Sequence, residues 1–331
     1  PDIVHVNTDW GCGWDGLLAA RYLGLPVVGT FHTFFADPGY LKTFGLPQHW
    51  LFEKLIWNYS RFFYDRCDVT TAPSHAVRDA LVANGAATVP QVMSNGIPDL
   101  LDRSDTDVSA LRKQHGLEGP TFVYVGRISP EKSVEVVLAA FRYVVRRFPE
   151  ARFLMVGDGP ERAPLTRLMQ RMGIENHVVQ LGHVPHEQLI AQSIPRWGDV
   201  FVTASKTENQ PISILEALSF GVPVIGARSK GIPELIEEDV NGMLFEPDNE
   251  VDLAEKMMAL AGDLPRCRRL GEGARQAIQK HTITHTVDRL LSVYEQAIRQ
   301  RGQLDSVTQQ AEPVADNPGF GERAWRARTP E

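Results

Sequence analysis

Val200-Phe201-Val202 leads into Ser205-Lys206-Thr207-Glu208-Asn209-Gln210-Pro211-Ile212-Ser213-Ile214-Leu215-Glu216-Ala217-Leu218, and Gly221-Val222-Pro223-Val224-Ile225 follows. An apolar strand, a polar loop, a short apolar helix and a second apolar strand succeed one another, which makes one βαβ unit. Proline cannot sit inside a helix but suits its first turn, so a helix is predicted to begin between Pro211 and Ser213. Glu208 then lies in the loop, and Glu216 lies in the helix's opening turns. Both carboxylates reach one cleft at the carboxyl end of a strand, where open α/β sheets bind ligands. The free N–H groups of the helix start favour an anion. Two carboxylates repel a bare phosphate, so they are expected to face hydroxyls. A sugar attached to a nucleoside diphosphate offers both kinds of group. A plainer reading also fits: Ser213 and Glu216 have the Ser-x-x-Glu spacing of a capping box, and Glu208 is then a solvated loop residue.

Outward from this unit, strand-like and helix-like segments alternate along the chain, which indicates a mainly parallel sheet. Strands are predicted at 3–6, 27–30, 69–72 and 91–93, with Ser74 capping a helix over 75–84 and Gly85 ending it. The polar stretch 104–119 separates these from a new strand at 121–125, so the domain change falls between Gly96 and Gly119. A helix over 131–147 buries Val134, Val137, Leu138, Phe141, Val145 and Phe148 by their spacing. Further strands are predicted at 153–156, 178–181, 200–203 and 222–225, and helices at 253–260, 266–279 and 286–299. From Gly302 the chain is rich in Gln, Pro, Gly and charge without periodicity, and residues 302–331 read as disordered.

A chain of 331 residues is long enough for two domains, each with its own core. A net charge of −7 argues against a nucleic-acid binder. The three cysteines, Cys12, Cys67 and Cys267, are scattered, which fits a reducing compartment and gives no zinc signal. No stretch approaches the ~20 apolar residues of a membrane span.

Gly126, Arg127 and Lys132 follow the strand at 121–125. Cations there can stabilise a departing diphosphate; Arg offers a planar fork and Lys a mobile point charge. Two surface cations are the plainer alternative. His32 closes the strand Val28-Gly29-Thr30-Phe31 and can donate to a phosphate or carry partial positive charge. Gly157-Asp158-Gly159 does not make a dinucleotide fingerprint, because Arg162 holds the third glycine position. Nor is there a P-loop, since Gly231 is followed by Ile232.

The Glu208–Glu216 segment resembles the Glu-x7-Glu signature of the retaining glycosyltransferases of family four (glycosyl transferases group 1), enzymes of the GT-B fold. Val125-Gly126-Arg127-Ile128-Ser129-Pro130-Glu131-Lys132 is similar to that family's donor-phosphate segment, and Met155-Val156-Gly157-Asp158-Gly159-Pro160 to its next strand-end loop. Gln180-Leu181-Gly182-His183-Val184 resembles the loop near the nucleobase, Ser94-Asn95-Gly96-Ile97 the inter-domain linker, and Asn241-Gly242-Met243-Leu244-Phe245 a late strand. These segments occur in the family's order, between about residues 1 and 299.

The resemblance implies an α/β protein of two Rossmann-like doubly wound domains facing a cleft. Residues 1–100 would form an incomplete acceptor domain that opens partway through its fold, and 101–283 the nucleotide-sugar donor domain. Residues 284–301 would form a final helix crossing back to the first domain. It further implies transfer of a hexose from a UDP- or GDP-linked donor to a lipid or saccharide, with retention of configuration. His32 and Glu208 would act at the reacting sugar. Gly126, Arg127, Lys132, Gly157, Gly182, His183, Glu208, Asn209, Gln210, Pro211, Ile212 and Glu216 would hold the donor. No cofactor and no metal are expected, the nucleotide sugar being a substrate. His32-Thr33-Phe34-Phe35 resembles lipid glycosyltransferases of the diacylglycerol glucosyltransferase kind. Residues 31–66 interleave aromatics with Lys42, Lys54, Arg61 and Arg66, the composition of an interfacial membrane contact. The expected location is the cytoplasm, at the inner face of the membrane if that contact forms. Two rival readings are a nucleotide-sugar hydrolase or epimerase and a truncated, non-catalytic nucleotide-sugar-binding protein.

Overall fold

The computed structural model describes residues 1–32, 41, 49–100 and 106–310. Four short strands, β1 Val4–Val6, β2 Val27–Thr30, β3 Val69–Ala72 and β4 Gln91–Val92, pair in parallel in the order β1-β2-β3-β4. Helices α1 (Cys12–Tyr22), α2 (Trp50–Tyr64) and α3 (His75–Ala83) connect them. Ser74 caps α3, its Oγ accepting the Val77 N–H at 3.4 Å, and Gly85 takes a left-handed φ of 84° just past the helix end. Of the aromatic segment 31–66, Phe34, Phe35, Tyr40 and Phe44 lie outside the described residues.

Six strands form the second sheet, all parallel: β5 Thr121–Val125, β6 Arg152–Val156, β7 Val178–Gly182, β8 Val200–Thr203, β9 Val224–Ala227 and β10 Gly242–Phe245. Their order is β10-β9-β8-β5-β6-β7. The chain winds outward from β5 to β7, then returns to β8 and winds the other way. That reversal opens a crevice beyond the carboxyl ends of β5 and β8. Helices α4 (Val108–Gln114), α5 (Val134–Arg147), α6 (Arg162–Met172), α7 (His186–Ala191) and α8 (Ile212–Ser219) accompany this sheet, with α9 (Glu250–Ala261) and α10 (Leu264–Ala277). One face buries Val137, Leu138 and Phe141 of α5 with Leu253 and Met257 of α9. The other buries Ile214, Leu215 and Leu218 of α8 against Val123 and Phe201. Each fully buried side chain of this size contributes about 1.5–3 kcal/mol.

Several boundaries differ from the sequence reading. The helix expected over 131–147 begins at Val134, because Ser133 adopts a left-handed φ of 48° and Pro130–Lys132 makes a separate 3₁₀ turn. Val144 fills the face, while Val145 and Phe148 are only partly buried. Pro223 has no N–H for the ladder, so β9 begins at Val224 rather than at residue 222. Helix α10 starts at Leu264 because Asp263 caps it, accepting the Arg266 N–H at 2.9 Å. The last helix, α11, spans Ile283–Gln310. It continues through 302–310, where a disordered tail is expected, and 311–331 lie outside the described residues.

The chain crosses between the sheets twice, and the crossings lie side by side. The Ile97 N–H donates to the His281 carbonyl at 2.9 Å, and the Ile283 N–H donates to the Ile97 carbonyl at 2.9 Å. Helix α11 then packs on the first sheet, where Val293 and Ala297 bury against Val28 and Val69. His5 joins the two, lying 2.8 Å from Tyr294 Oη and 2.7 Å from Thr30 Oγ1. Across the interface, Glu234 accepts the His75 and Ala76 N–H groups at the start of α3, at 2.8 and 2.7 Å.

Candidate active site

The floor of the crevice is made where three strand ends crowd together. Gly126 N–H donates to the Val156 carbonyl at 3.0 Å, and Gly157 N–H donates to the Gly182 carbonyl at 2.8 Å. A Cβ on Gly157 would meet the Gly126 carbonyl oxygen at 1.8 Å, and its φ of 135° suits only glycine. This close approach aims the loop after β5. Tyr124 Oη donates to the Arg127 carbonyl at 2.7 Å and fixes the loop's next residue. The Arg127 side chain is exposed and makes no ion pair among the described residues.

Helix α8 begins at Ile212 with Pro211 as its N-cap residue. Ser213 is therefore inside the helix and Glu216 lies beyond its first turn, so the capping-box reading does not hold. Glu216 is instead buried, its Oε1 2.6 Å from His186 Nε2. Glu208 stands in the preceding loop and pairs with the Lys132 ammonium. Burial drives the Tyr124 phenol well above its ordinary pKa, and the charges of Glu208 and Glu131 push it the same way.

A cleft of about 410 Å³ runs between these groups. Gly126, Arg127, Lys132, Glu208, Ile212 and Glu216 line it. His183, Val184, His186 and Leu189 also line it. A neighbouring pocket of about 390 Å³ shares Arg127 and His183 and extends to Gly157 and Asp158. His186 is the residue that the sequence reading misses. Its signal was its place three residues after His183, at the start of α7.

Other expected donor residues point elsewhere. Gly182 supports Gly157 rather than lining the cleft. Asn209 donates from Nδ2 to the His32 carbonyl, and its buried Oδ1 has no partner. Gln210 accepts the Asn95 N–H at 2.6 Å and donates to Ser94 Oγ at 2.8 Å, so its amide faces the linker. His32 stands at the end of β2 with Nε2 3.2 Å from Asn7 Oδ1. Burial lowers its pKa, which favours the neutral imidazole over a partial cation. Thus Glu208, Glu216, Arg127, Lys132, Gly126, Ile212 and His183 share one cleft. His32, Asn209, Gln210 and Pro211 are not among the residues that line it. Among the described residues no group of three or more His, Cys, Asp or Glu side chains could hold a metal ion. No described helix is long and apolar enough to cross a membrane.

Two parallel α/β sheets, joined by paired crossings and facing a cleft at the switch point, make the GT-B fold of glycosyltransferases. The profile of Glycosyl transferases group 1 matches residues 107–277, and that of Glycosyltransferase Family 4 matches residues 1–99. The chain belongs to this family. It is 32% identical to sulfoquinovosyl transferase SQD2 of Arabidopsis thaliana over 289 residues, covering 85% of this chain and 54% of that protein. It is 28% identical to alpha-monoglucosyldiacylglycerol synthase of Acholeplasma laidlawii over 261 residues, covering 76% of this chain and 64% of the relative. The chain thus spans less than two thirds of either relative's length. In fold it is similar to Anabaena Alr3699/HepE, solved in complex with UDP. That match has a TM-score of 0.73 and 22% identity, and covers 93% of this chain and 78% of the other.

Proposed function

We propose that this protein is a retaining glycosyltransferase that moves a hexose from a UDP- or GDP-linked donor to a lipid or saccharide acceptor. The observation that carries the reading is the meeting of Arg127 and Lys132 with Glu208 and Glu216 in one cleft at the switch point. Arg127 and Lys132 take the diphosphate and stabilise the charge that develops as it leaves. Glu216, held by His186, accepts from the ribose hydroxyls, and His183 lies on the nucleobase side. Glu208 accepts from a hydroxyl of the transferred sugar beside the N–H groups of the α8 start. The acceptor oxygen bonds to the anomeric carbon on the face from which the diphosphate departs. The departing phosphate takes the acceptor's proton, and the configuration is retained. Neutral His32 donates near the reacting centre. These cations and the helix start neutralise the diphosphate, so a chelator is expected to leave turnover unchanged.

The names of the relatives support a lipid or sugar acceptor. On α2, Leu51, Leu55 and Phe62 are exposed and share one face by helical spacing. The Arg66 guanidinium lies 3.4 Å over the Phe62 ring. An apolar face edged by cations suits the surface of an anionic bilayer, and peripheral binding there is part of the proposal.

Calorimetric titration with UDP-glucose and GDP-mannose tests the donor site, with Arg127→Ala as the control. One donor should bind to the wild type and not to the control. Turnover by Glu208→Gln tests the sugar contact, and wild-type rates in that variant would remove the role assigned to Glu208.

A further inference from the structure

The two crossings between the sheets and the loop that carries Glu208 are linked by a single chain of hydrogen bonds. Gln210 Oε1 accepts the Asn95 N–H at 2.6 Å, which identifies that atom as the amide oxygen, so Nε2 is the atom that donates to Ser94 Oγ at 2.8 Å. Burial, helped by Lys280 and His285, lowers the His281 pKa to about 4. Ser94 Oγ lies 2.6 Å from His281 Nδ1, the imidazole tautomer deciding which of the two donates, and it also reaches the Asn95 carbonyl at 3.0 Å. Ser94's own carbonyl accepts from Thr286 Oγ1 at 3.3 Å, in the first turn of α11. Next to Gln210, Asn209 is tied to the His32 carbonyl of the first sheet. Next to Asn209, Glu208 pairs with Lys132 of the second. Three successive side chains of one loop thus reach the donor cleft, the first sheet and the paired crossings.

We infer that Gln210 is a positioning residue: through Ser94 it ties the loop holding Glu208 to the crossing at His281, so that donor affinity depends on how the two crossings are set. The inference rests on the donor-site reading above. Gln210 touches no wall of the cleft, and it acts through Glu208 and the α8 start, which it precedes by two residues. A change at Ser94, outside the cleft, should therefore be felt inside it.

The test compares wild type, Gln210→Ala, Ser94→Ala and the double variant by calorimetric titration with UDP-glucose and GDP-mannose, by donor KM and kcat, and by thermal melting. Loss of one neutral hydrogen bond corresponds to roughly a tenfold weaker donor Kd. Each single variant is expected to show this in Kd and KM, with kcat at saturation within about threefold of wild type. Because both substitutions cut one chain, the double variant should be no weaker than either single. Ser94→Ala removes only a hydroxyl and keeps the test open if Gln210→Ala melts early. Donor Kd unchanged in Ser94→Ala, or a double variant that loses the product of the two singles, would overturn the inference and leave Gln210 a packing residue. A folded wild-type chain that binds neither donor removes the transferase reading and this inference with it. Wild-type binding with unaltered variants removes the inference alone.

Discussion

Replacing Gly157 with alanine should damage both stability and catalysis, although the side chain it adds is a single methyl. The new Cβ would lie 1.8 Å from the Gly126 carbonyl oxygen, whereas real Cβ contacts essentially never fall below 3.0 Å. The two loops must therefore part by about 1 Å. Alanine at a φ of 135° adds backbone strain, and the Gly157–Gly182 hydrogen bond is lost or stretched. Together these cost about 2–4 kcal/mol. For a domain of this size that lowers Tm by on the order of 10 °C. The displaced carbonyl belongs to the residue before Arg127, so the guanidinium moves with it. A shift of about 1 Å at a positioning group can cost on the order of 100-fold in rate. Scanning calorimetry gives the first quantity and donor-dependent kcat/KM the second. A Gly157→Ala protein with wild-type Tm and wild-type kcat/KM would refute the idea that this glycine contact sets the phosphate loop.

Glu216→Gln should raise donor KM tenfold or more with kcat little changed, because a buried charge-assisted hydrogen bond is worth about 1.5–3 kcal/mol. Steady-state kinetics at varied donor concentration separates the two constants. The folded pKa of His281 lies near 4, below its value of 6.5 in an unfolded chain. Its contribution to stability is therefore present above pH 6.5 and is lost as pH falls from 6.5 toward 4. Thermal melts across that window should show Tm falling, and the fall should shrink in His281→Asn. Leu55→Glu, on the exposed face of α2, should reduce co-sedimentation with anionic vesicles while leaving Tm and donor Kd unchanged. Equal sedimentation of wild type and variant would remove α2 as the contact.

Apolar runs made the strands legible, and Pro211 made the start of α8 legible to within a residue. Once that start was placed, the positions of Glu208 and Glu216 around one cleft followed from strand and helix geometry. What escaped the sequence depends on partners far along the chain. His186 matters because Glu216, thirty positions away, needs a partner in a buried place. The amide of Gln210 reads as a donor ligand until the linker at Ser94 and Asn95 is seen to consume it. The start of α5 was misplaced because Ser133 takes a left-handed backbone that no local propensity announces. Val144, which the spacing did not single out, is fully buried, and Val145 only partly.

Helix α11 completes the first sheet from the far end of the chain, with Val293, Ala297 and Tyr294 lying against Val28, Val69 and His5. During synthesis, β2 and β3 are therefore made long before the helix that covers them. The second sheet, from β5 to β10, is made in between and can close while α11 is still to come. The earlier sheet must wait on the ribosome with that face of β2 and β3 uncovered until α11 emerges. The order of birth and the order of completion of the two halves are reversed, and the uncovered interval lengthens with every residue that translation adds before α11.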